Sequence, residues 1–450
     1  MAVVQLQLRM SEVISALSYA LDITEGQPPG HAVRSCLIGM RLADELGLDP
    51  QARSNLHYAL LLKDAGCSSN AAKICSLFRS DDLRLKGGVK TVEWTSLSEN
   101  FVWAVRNVAP ESSPLGRAAA LVRLGFKQGA QRDLFETRCE RGADIARELG
   151  FPEQTAEAIR TLDEHWDGRG QPLGLRGEEI PPLGRIVCVA QSTDVFAVTH
   201  GLAAAYRMAR ERRGTWFDPA VVGALEAIEG DRPFWARLSS GDADGLVGEL
   251  EPVDRAVHVD AAGLDRVAGA FARVIDAKSP FTARHSDRVA EIAIGIGVVV
   301  GLPEPELRRL RLAALLHDIG KLGISNLILD KPGRLTDAER GEIERHPIFT
   351  RELLSRVAPF QDLADDASDH HEKLDGSGYP RGLRGDELTP SARILAVADI
   401  FEAMTAVRPY RDPLPIGSVL EALDADAGSR LLDPVCVTAL RSWIELAAAA

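Results

Sequence analysis

Histidine and aspartate residues that could bind metal ions are concentrated in the C-terminal half of the chain. Five of the ten histidines lie in four short motifs there, and aspartates accompany them. Imidazole and carboxylate groups together suit iron, manganese, zinc or nickel. The motifs therefore predict a metal centre, with ligands among His285, His317, Asp318, His346, His370, His371 and Asp399.

The pair His317-Asp318 and the isolated Asp399 both adjoin or interrupt apolar helical segments. The apolar stretch Leu310–Leu316 ends at the pair, so both side chains can emerge at a helix end. Successive helical residues point about 100° apart, so the pair can serve two neighbouring metals if the carboxylate bridges them. Asp399 lies within the apolar stretch Ile394–Phe401, where an unpaired carboxylate would be costly. Each motif alone has an ordinary explanation as a solvated or hydrogen-bonded side chain, but the ordered set favours a ligand cluster.

Helices are the elements that must position these residues. Apolar side chains recur at three- and four-residue steps through much of the chain, whereas alternating strand patterns are scarce. Thr336 and Glu339 form a capping-box pattern that opens a further helix. The sequence therefore predicts an all-α fold, with helical segments at Leu264–Ile275, Ser286–Val300, Glu306–Leu316, Ala392–Met404 and Val435–Leu446.

The chain also repeats itself. Leu17–Leu48 aligns without a gap onto Phe271–Leu302, and the same offset of 254 residues carries Leu61–Cys67 onto Leu315–Lys321. Later motifs match in the same order, so we interpret the chain as a tandem duplication. The predicted domains are residues 1–235 and 263–450, with a Gly/Asp/Glu-rich linker at 236–262 and an extra segment near 71–138 in the first copy.

Composition limits the partners that the protein can have. The 450-residue chain has a net charge of −13, which disfavours binding to nucleic acid and to anionic membranes. It has no apolar run of about 18 residues, no secretory signal pattern and no CxxC pair among its six cysteines. We therefore expect a cytoplasmic protein with neither nucleic acid nor membrane as a partner. An anionic substrate would need a local positive site, which metal ions could supply.

Three consecutive motifs resemble the HD-GYP phosphodiesterases, a bacterial subgroup of the HD superfamily. They are His317-Asp318-Ile-Gly-Lys321, His370-His371-Glu372 and Asp375-Gly-Ser-Gly-Tyr-Pro380. The resemblance covers about residues 264–450. Together with the duplication, it implies two tandem HD-type helical domains. It also implies a centre of two or three divalent transition metal ions, iron or manganese, and hydrolysis of the second messenger cyclic di-GMP by a binuclear-metal hydroxide mechanism.

The resemblance also implies a role for each matching residue. One metal would be held by His285, His317, Asp318 and Asp399. The second would be held by His346, His370 and His371, with Asp318 bridging the two ions. Lys321 would lie beside the scissile phosphate as a catalytic and substrate-binding residue. The guanine and phosphate groups of the substrate would contact Tyr379, Arg408 and Arg411.

One position departs from the three-metal members of this family. Those members place a Glu four residues before the first ligand histidine, where this chain has Phe281. We therefore expect two ions and not three. Release of the linear dinucleotide pGpG is then favoured over complete conversion to GMP.

The first copy keeps the order of the aligned motifs but lacks most of the predicted ligand residues. Only His31 and Asp64 remain, whereas Lys63 stands for His317 and Gln191 for Asp399. The other replacements in the alignment are Cys67 for Lys321, Gly142 for His346, Leu162-Asp163 for His370-His371 and Gln171 for Tyr379. We predict a degenerate, non-catalytic domain that is structural or supports a homodimer, with a regulatory nucleotide-binding role as the alternative.

Two other functions are also compatible with the sequence. The first is an HD hydrolase of another cyclic nucleotide or dinucleotide, because the motifs determine metal chemistry better than base identity. The second is a signalling adaptor that binds cyclic di-GMP or a diguanylate cyclase domain with little turnover.

Overall fold

A computed structural model describes residues 8–92, 97–110, 112–126, 130–239, 247–248, 250–252, 257–407 and 411–449. Within these ranges the chain is helical and forms only isolated β-bridges, such as the one between Asp375 and Arg384. The predicted all-α fold is confirmed. None of the described helices is long and apolar enough to cross a membrane. The chain divides into two compact units, Met1–Arg266 and Val267–Ala450.

The first unit is built from helices that we number α1 to α13. Its centre is α2, which packs against α1, α3 and α10, while α10 also packs against α9 and α11. The described helices are α1 Met10–Thr24, α2 His31–Glu45, α3 Pro50–Leu62, α4 Ala71–Phe78, α5 Asp82–Val89, α6 Leu97–Asn107, α7 Pro114–Phe126, α8 Ala130–Glu148, α9 Glu153–Arg160, α10 Pro182–His200, α11 Leu202–Glu211, α12 Pro219–Ala227 and α13 Arg232–Ser239.

The second unit repeats this arrangement without the extra helices. The helix that begins at His285 packs against the helices that end at Leu316 and Thr405, as α2 packs against α3 and α10. The helices are α14 Ala261–Asp276, α15 His285–Val300, α16 Glu304–Leu316, α17 Asn326–Leu329, α18 Asp337–Ile343, α19 His346–Ser355, α20 Gln361–Ser368, α21 Pro390–Thr405, α22 Ile416–Gly428 and α23 Pro434–Ala449. The unit boundary lies within α14.

A buried aspartate determines where α15 begins. The Asp276 carboxylate accepts hydrogen bonds from the backbone N and the Oγ of Ser286, at 3.2 and 2.8 Å. These bonds satisfy amide groups that a helix N-terminus leaves without intrahelical partners. Asp22 does the same for α2, where it accepts from the backbone N of Gly30 and Ala32 at 2.7 and 2.9 Å. His31 and His285 are thereby each placed at the first residue of a helix.

The described part of the predicted linker packs on the first unit. The backbone N of Met10 donates to the carbonyl of Val257 at 2.7 Å, and the Oγ of Ser11 donates to Glu251 at 2.8 Å. Glu251 also accepts from the buried Tyr58 hydroxyl. The compact first unit therefore includes this segment, whereas the composition alone predicted a connector between domains.

Candidate metal centre

Short turns and helix ends bring the predicted ligands of the second unit together. His285 and His346 each begin a helix, whereas His317 follows the last residue of α16. The histidine pair lies in the 3₁₀ turn Asp369–His371, and Asp399 projects from the middle of α21. All of them are buried except the partly exposed His371. The nitrogen and oxygen atoms form three overlapping groups whose members lie within 4.8 Å of one another: His346, His370 and His371; His285, His317 and Asp399; and His317, Asp318 and His370.

The Asp318 carboxylate lies between two sets of imidazoles. Its Oδ2 atom is 3.3 Å from Nε2 of both His285 and His317. Its Oδ1 atom is 3.3 Å from Nε2 of His346 and 3.9 Å from Nε2 of His370. Each oxygen thus faces a different set, which is the geometry that a carboxylate bridge between two metal ions requires.

Three of the imidazoles are oriented by backbone carbonyls. In each case Nδ1 lies 2.7 Å from the carbonyl oxygen three residues earlier, which accepts its proton. The Nε2 atom of each ring therefore carries the lone pair and faces the cluster. The three residues are His317, His346 and His370.

Glu402 is a residue of the centre that the sequence reasoning did not identify. Its Oε2 atom lies 2.5 Å from Nδ1 of His285, and its Oε1 atom accepts from Nε of Arg288 at 2.7 Å. A signal for it was present, because Glu402 follows Asp399 by three residues on α21 and so lies on the same helix face.

Electrostatics favour the metal-binding protonation state in three of the predicted ligands, Asp318, His370 and His371. Burial would raise the pKa of Asp318, but the neighbouring His317 and Lys321 side chains hold it well below its usual range. Burial and neighbouring charges lower the pKa of His370 and His371 well below the ordinary histidine value, so both imidazoles are neutral. Neutral imidazole and ionised carboxylate are the forms that coordinate divalent cations.

The donor set fits divalent transition metals. Among the described residues, neither the buried Nε2 of His317 nor the buried Oδ1 of Asp318 has a hydrogen-bond partner. Buried polar atoms are rarely left without partners, so such atoms at the middle of a cluster indicate a ligand. Clustered imidazole nitrogens and carboxylate oxygens suit iron, manganese or zinc.

Lys321 and Tyr379 lie beside the cluster. Nζ of Lys321 donates to Oδ2 of Asp318 at 2.6 Å, and its side chain is 25% exposed. The Tyr379 ring lies 4.8 Å from the His371 ring, centre to centre, at an angle of 33°. Both side chains therefore border the centre on a side that solvent or substrate can reach.

One of the two predicted substrate arginines, Arg411, lies within the described residues. Arg411 donates from Nη2 to the carbonyl oxygen of Ala403 at 2.8 Å, near the end of α21. Arg408 lies outside the described residues. Contact of either arginine with substrate stays a prediction.

The loop that carries Tyr379 is held by the third residue of the His-His-Glu motif. The Glu372 carboxylate accepts from the backbone N of Arg381, Gly382 and Leu383, at 2.6, 3.1 and 3.0 Å. Gly378 runs so close to this motif that a Cβ atom would lie 2.4 Å from Cα of Glu372. Glu372 therefore shapes the loop and is not a ligand.

The equivalent place in the first unit is filled by cations. Lys63 donates to Asp64, and Nζ of Lys90 lies 3.1 Å from Glu25 and 3.5 Å from Asp64. Arg138 pairs with Glu25 at 3.1 Å. The carboxylates therefore have ammonium and guanidinium partners, and Asp64 also keeps the retained His31 imidazole at 3.9 Å.

The structure corrects one replacement in the first copy. A Cβ on Gly320 would meet the carbonyl of His346, and a Cβ on Gly66 would meet the carbonyl of Arg138 in the same manner. Arg138 thus occupies the position of His346, and Gly142 instead occupies that of Thr350. The assignment of Gly142 was wrong because the helix was aligned four residues, or about one turn, out of register.

A family model described as HD domain matches residues 127–221 and 269–435. The matched stretches cover more than half of the chain, with one in each copy. The chain belongs to the HD domain family. The predicted family membership is confirmed, and the first unit is a degenerate HD domain that lacks most of the predicted ligand residues of the second.

Known relatives match either nearly the whole chain or about two fifths of it. The 3'3'-cGAMP-specific phosphodiesterase 3 of Vibrio cholerae is 44% identical over 448 residues, which is 99% of this chain and 97% of the relative. The cyclic di-GMP phosphodiesterase response regulator RpfG of Xanthomonas campestris is 42% identical over 172 residues, 38% of this chain and 45% of the relative.

A solved structure also matches along the full length. It is the crystal structure of a cyclic GMP-AMP specific phosphodiesterase of V. cholerae, V-cGAP3, with a TM-score of 0.67 and 38% identity over 98% of both chains. This likeness supports the HD fold of both units.

Proposed function

We propose that the second unit is a metal-dependent phosphodiesterase that hydrolyses a cyclic dinucleotide at a centre of two divalent transition metal ions. The observation that carries the proposal is Asp318, whose two oxygens each face a separate set of imidazoles. A single mononuclear site would not need a carboxylate placed between two groups of ligands.

The residues would divide between two subsites. His285, His317 and Asp399 would hold one ion, and His346, His370 and His371 would hold the other, with Asp318 shared. We expect the ions to be iron or manganese, which the resemblance implies and which this ligand set suits. Bound divalent cations supply a nucleophilic water at neutral pH and neutralise charge on a phosphate.

Two side chains at the border would act on the substrate. The ammonium group of Lys321 would pair with a non-bridging phosphate oxygen, where negative charge builds as the phosphorus is attacked. Burial raises the pKa of Tyr379, so its phenol keeps the proton and can donate a hydrogen bond to the nucleotide. Both groups would bind and orient the substrate without taking the place of a metal ligand.

The motifs do not determine which two nucleotide bases the substrate carries. The relative that matches both units is named for 3'3'-cGAMP, which makes that compound the first substrate to test. Relatives that match a shorter part of the chain include some named for 3'3'-cGAMP and others named for cyclic di-GMP, the substrate that the motifs predicted. We expect linear products from either compound, because Phe281 stands where the three-metal members have a carboxylate.

The first unit is proposed to be non-catalytic. Lys63 and Arg138 replace two ligand histidines, and both are cations that pair with carboxylates. A divalent cation would have to displace these buried groups before it could bind.

The function is tested with the purified full-length chain loaded with Mn²⁺ or with Fe²⁺ under anaerobic conditions. It is incubated in parallel with 3'3'-cGAMP and with cyclic di-GMP, and linear products are measured by liquid chromatography and mass spectrometry. Asp318→Asn is the matched control and should give no product. A metal-loaded wild-type protein that cleaves neither compound would refute the proposal.

A further inference from the structure

One histidine of the centre is oriented differently from its neighbours. Three of the imidazoles direct Nδ1 to a backbone carbonyl. His285 is the first residue of α15, and the carbonyl three residues before it, on Thr282, already accepts the backbone N–H of His285 at 2.9 Å. The His285 imidazole instead directs Nδ1 to a carboxylate oxygen of Glu402, at 2.5 Å.

This carboxylate is itself held in place. Glu402 is 1% exposed, and its other oxygen accepts from Nε of Arg288 at 2.7 Å. A buried, ionised acceptor fixes the tautomer of a ligand imidazole and raises its basicity, which strengthens the bond from the opposite ring nitrogen to a metal. A neutral backbone carbonyl gives the same orientation with less of the basicity.

The position of Glu402 also connects two ligands of one subsite. Glu402 and Asp399 are three residues apart on α21 and share a helix face. Nε2 of His285 lies 3.4 Å from Oδ1 of Asp399. The same turn of α21 therefore supplies one ligand directly and orients a second ligand that comes from α15.

We infer that Glu402 is a positioning residue that determines the metal affinity of the subsite formed by His285, His317 and Asp399. The inference rests on the proposed metal centre, but it concerns binding of the ion and not the identity of the substrate. The inference does not extend to the second subsite, where backbone carbonyls orient the imidazoles of His346 and His370.

The first unit provides a natural control. Nδ1 of His31 lies 2.7 Å from Oδ2 of Asp194, and Nε of Arg34 donates to Oδ1 of the same carboxylate at 2.7 Å. The carboxylate ties the same two helices together there, but Gln191 stands in place of the ligand on α10. Asp194→Asn therefore removes an equivalent helix-packing bond without touching the proposed metal centre.

The test measures Mn²⁺ binding to the full-length chain by electron paramagnetic resonance titration. In Glu402→Gln one of the two sites should weaken by about 10- to 100-fold while the other keeps its affinity. Glu402→Asp should recover part of the loss, because it restores the charge. Asp194→Asn should leave both dissociation constants unchanged.

Two outcomes would overturn the inference. One is a folded Glu402→Gln protein with both dissociation constants at the wild-type values. The other is equal weakening of both sites, because a purely structural bond would loosen the whole unit. If Glu402→Gln does not fold, Arg288→Gln decides the matter, since it keeps Glu402 and removes its outer partner. We expect a several-fold weakening of one site in that variant, and wild-type affinity at both sites would again overturn the inference.

Failure of the proposed reaction is distinguishable from failure of this inference. A wild-type protein that binds two Mn²⁺ ions and cleaves neither dinucleotide would refute the reaction. The dependence of one site on Glu402 would be unaffected by that result.

Discussion

Around Asp318 the second unit gathers imidazoles, whereas around Asp64 the first unit gathers an ammonium group from each of Lys63 and Lys90. The two aspartates occupy equivalent positions in one fold, and burial would raise the pKa of each. In both cases positive neighbours hold the pKa well below its usual range. A buried carboxylate needs compensation, and the two units obtain it in different ways.

The retained histidines show the same contrast. Burial would lower the pKa of His285, but hydrogen bonds to Asp318 and Glu402 raise it to about 9. Burial and the charge of Lys63 lower the pKa of His31 to about 4. The second pocket therefore attracts positive charge, and the first already contains it. The comparison indicates that one fold can hold fixed cations in one copy where the other copy has predicted metal ligands, while the shared helices pack in the same arrangement.

The largest expected effect comes from the aspartate that the comparison centres on. Asp318→Asn should lose most of the bound metal and reduce turnover to background, because the carboxylate faces both subsites. Elemental analysis after anaerobic purification, together with the cyclic dinucleotide assay, measures both quantities. Asp64→Asn is the matched variant in the first unit and should change neither. Loss of metal in Asp64→Asn would show that the first unit binds ions as well.

The next effect concerns the lysine that the first unit lacks. Lys321→Met should reduce kcat by about 10²- to 10³-fold, the usual cost of one donor to developing negative charge. Metal content should stay at the wild-type value, because Lys321 contacts Asp318 but carries no ligand atom. Cys67 occupies the equivalent position, and Cys67→Ser should have wild-type kinetics. A Lys321→Met protein with unchanged kcat would remove the lysine from the mechanism.

A smaller effect is expected at the substrate arginine that the structure describes. Charge-assisted hydrogen bonds are worth about 1.5–3 kcal/mol, so Arg411→Ala should raise KM by roughly ten- to a hundred-fold. Metal content should be normal. Steady-state kinetics and elemental analysis give both values. Loss of metal in this variant would instead place Arg411 in support of α21, whose Ala403 carbonyl it contacts.

The last effect is one of stability and should separate the units most cleanly. Metal at 100 times its dissociation constant stabilises the folded state by about 2.7 kcal/mol. Chelation should therefore increase hydrogen exchange in α15, α19 and α21 of the full-length chain. Exchange in α2 and α10 should not change, because the cations in that unit are the side chains of Lys63 and Arg138, which a chelator cannot remove. Equal responses in both units, measured by mass spectrometry, would contradict the difference that we draw between them.

Much of the site could be predicted from the sequence because its chemistry depends on rare residue types. His317-Asp318, His370-His371 and Asp399 are conspicuous in helices that are otherwise apolar, and helical periodicity placed them at helix ends or on buried faces. The duplication was also visible, since its first half aligns without gaps. Family membership followed from the motifs alone, and the HD domain match confirms it.

Tertiary structure decided what depends on contacts between distant segments. Whether Asp318 faces one or two sets of imidazoles is determined by how α15, α19 and the turn at Asp369–His371 converge, and no local pattern encodes that distance. The role of Glu402 depends on a contact across 117 residues. Arg138 in place of His346 could be assigned only from the close approach of Gly66, because the extra segment before it obscures the register. Sequence determines which groups can ionise or bind a metal, whereas packing determines which charges each group meets.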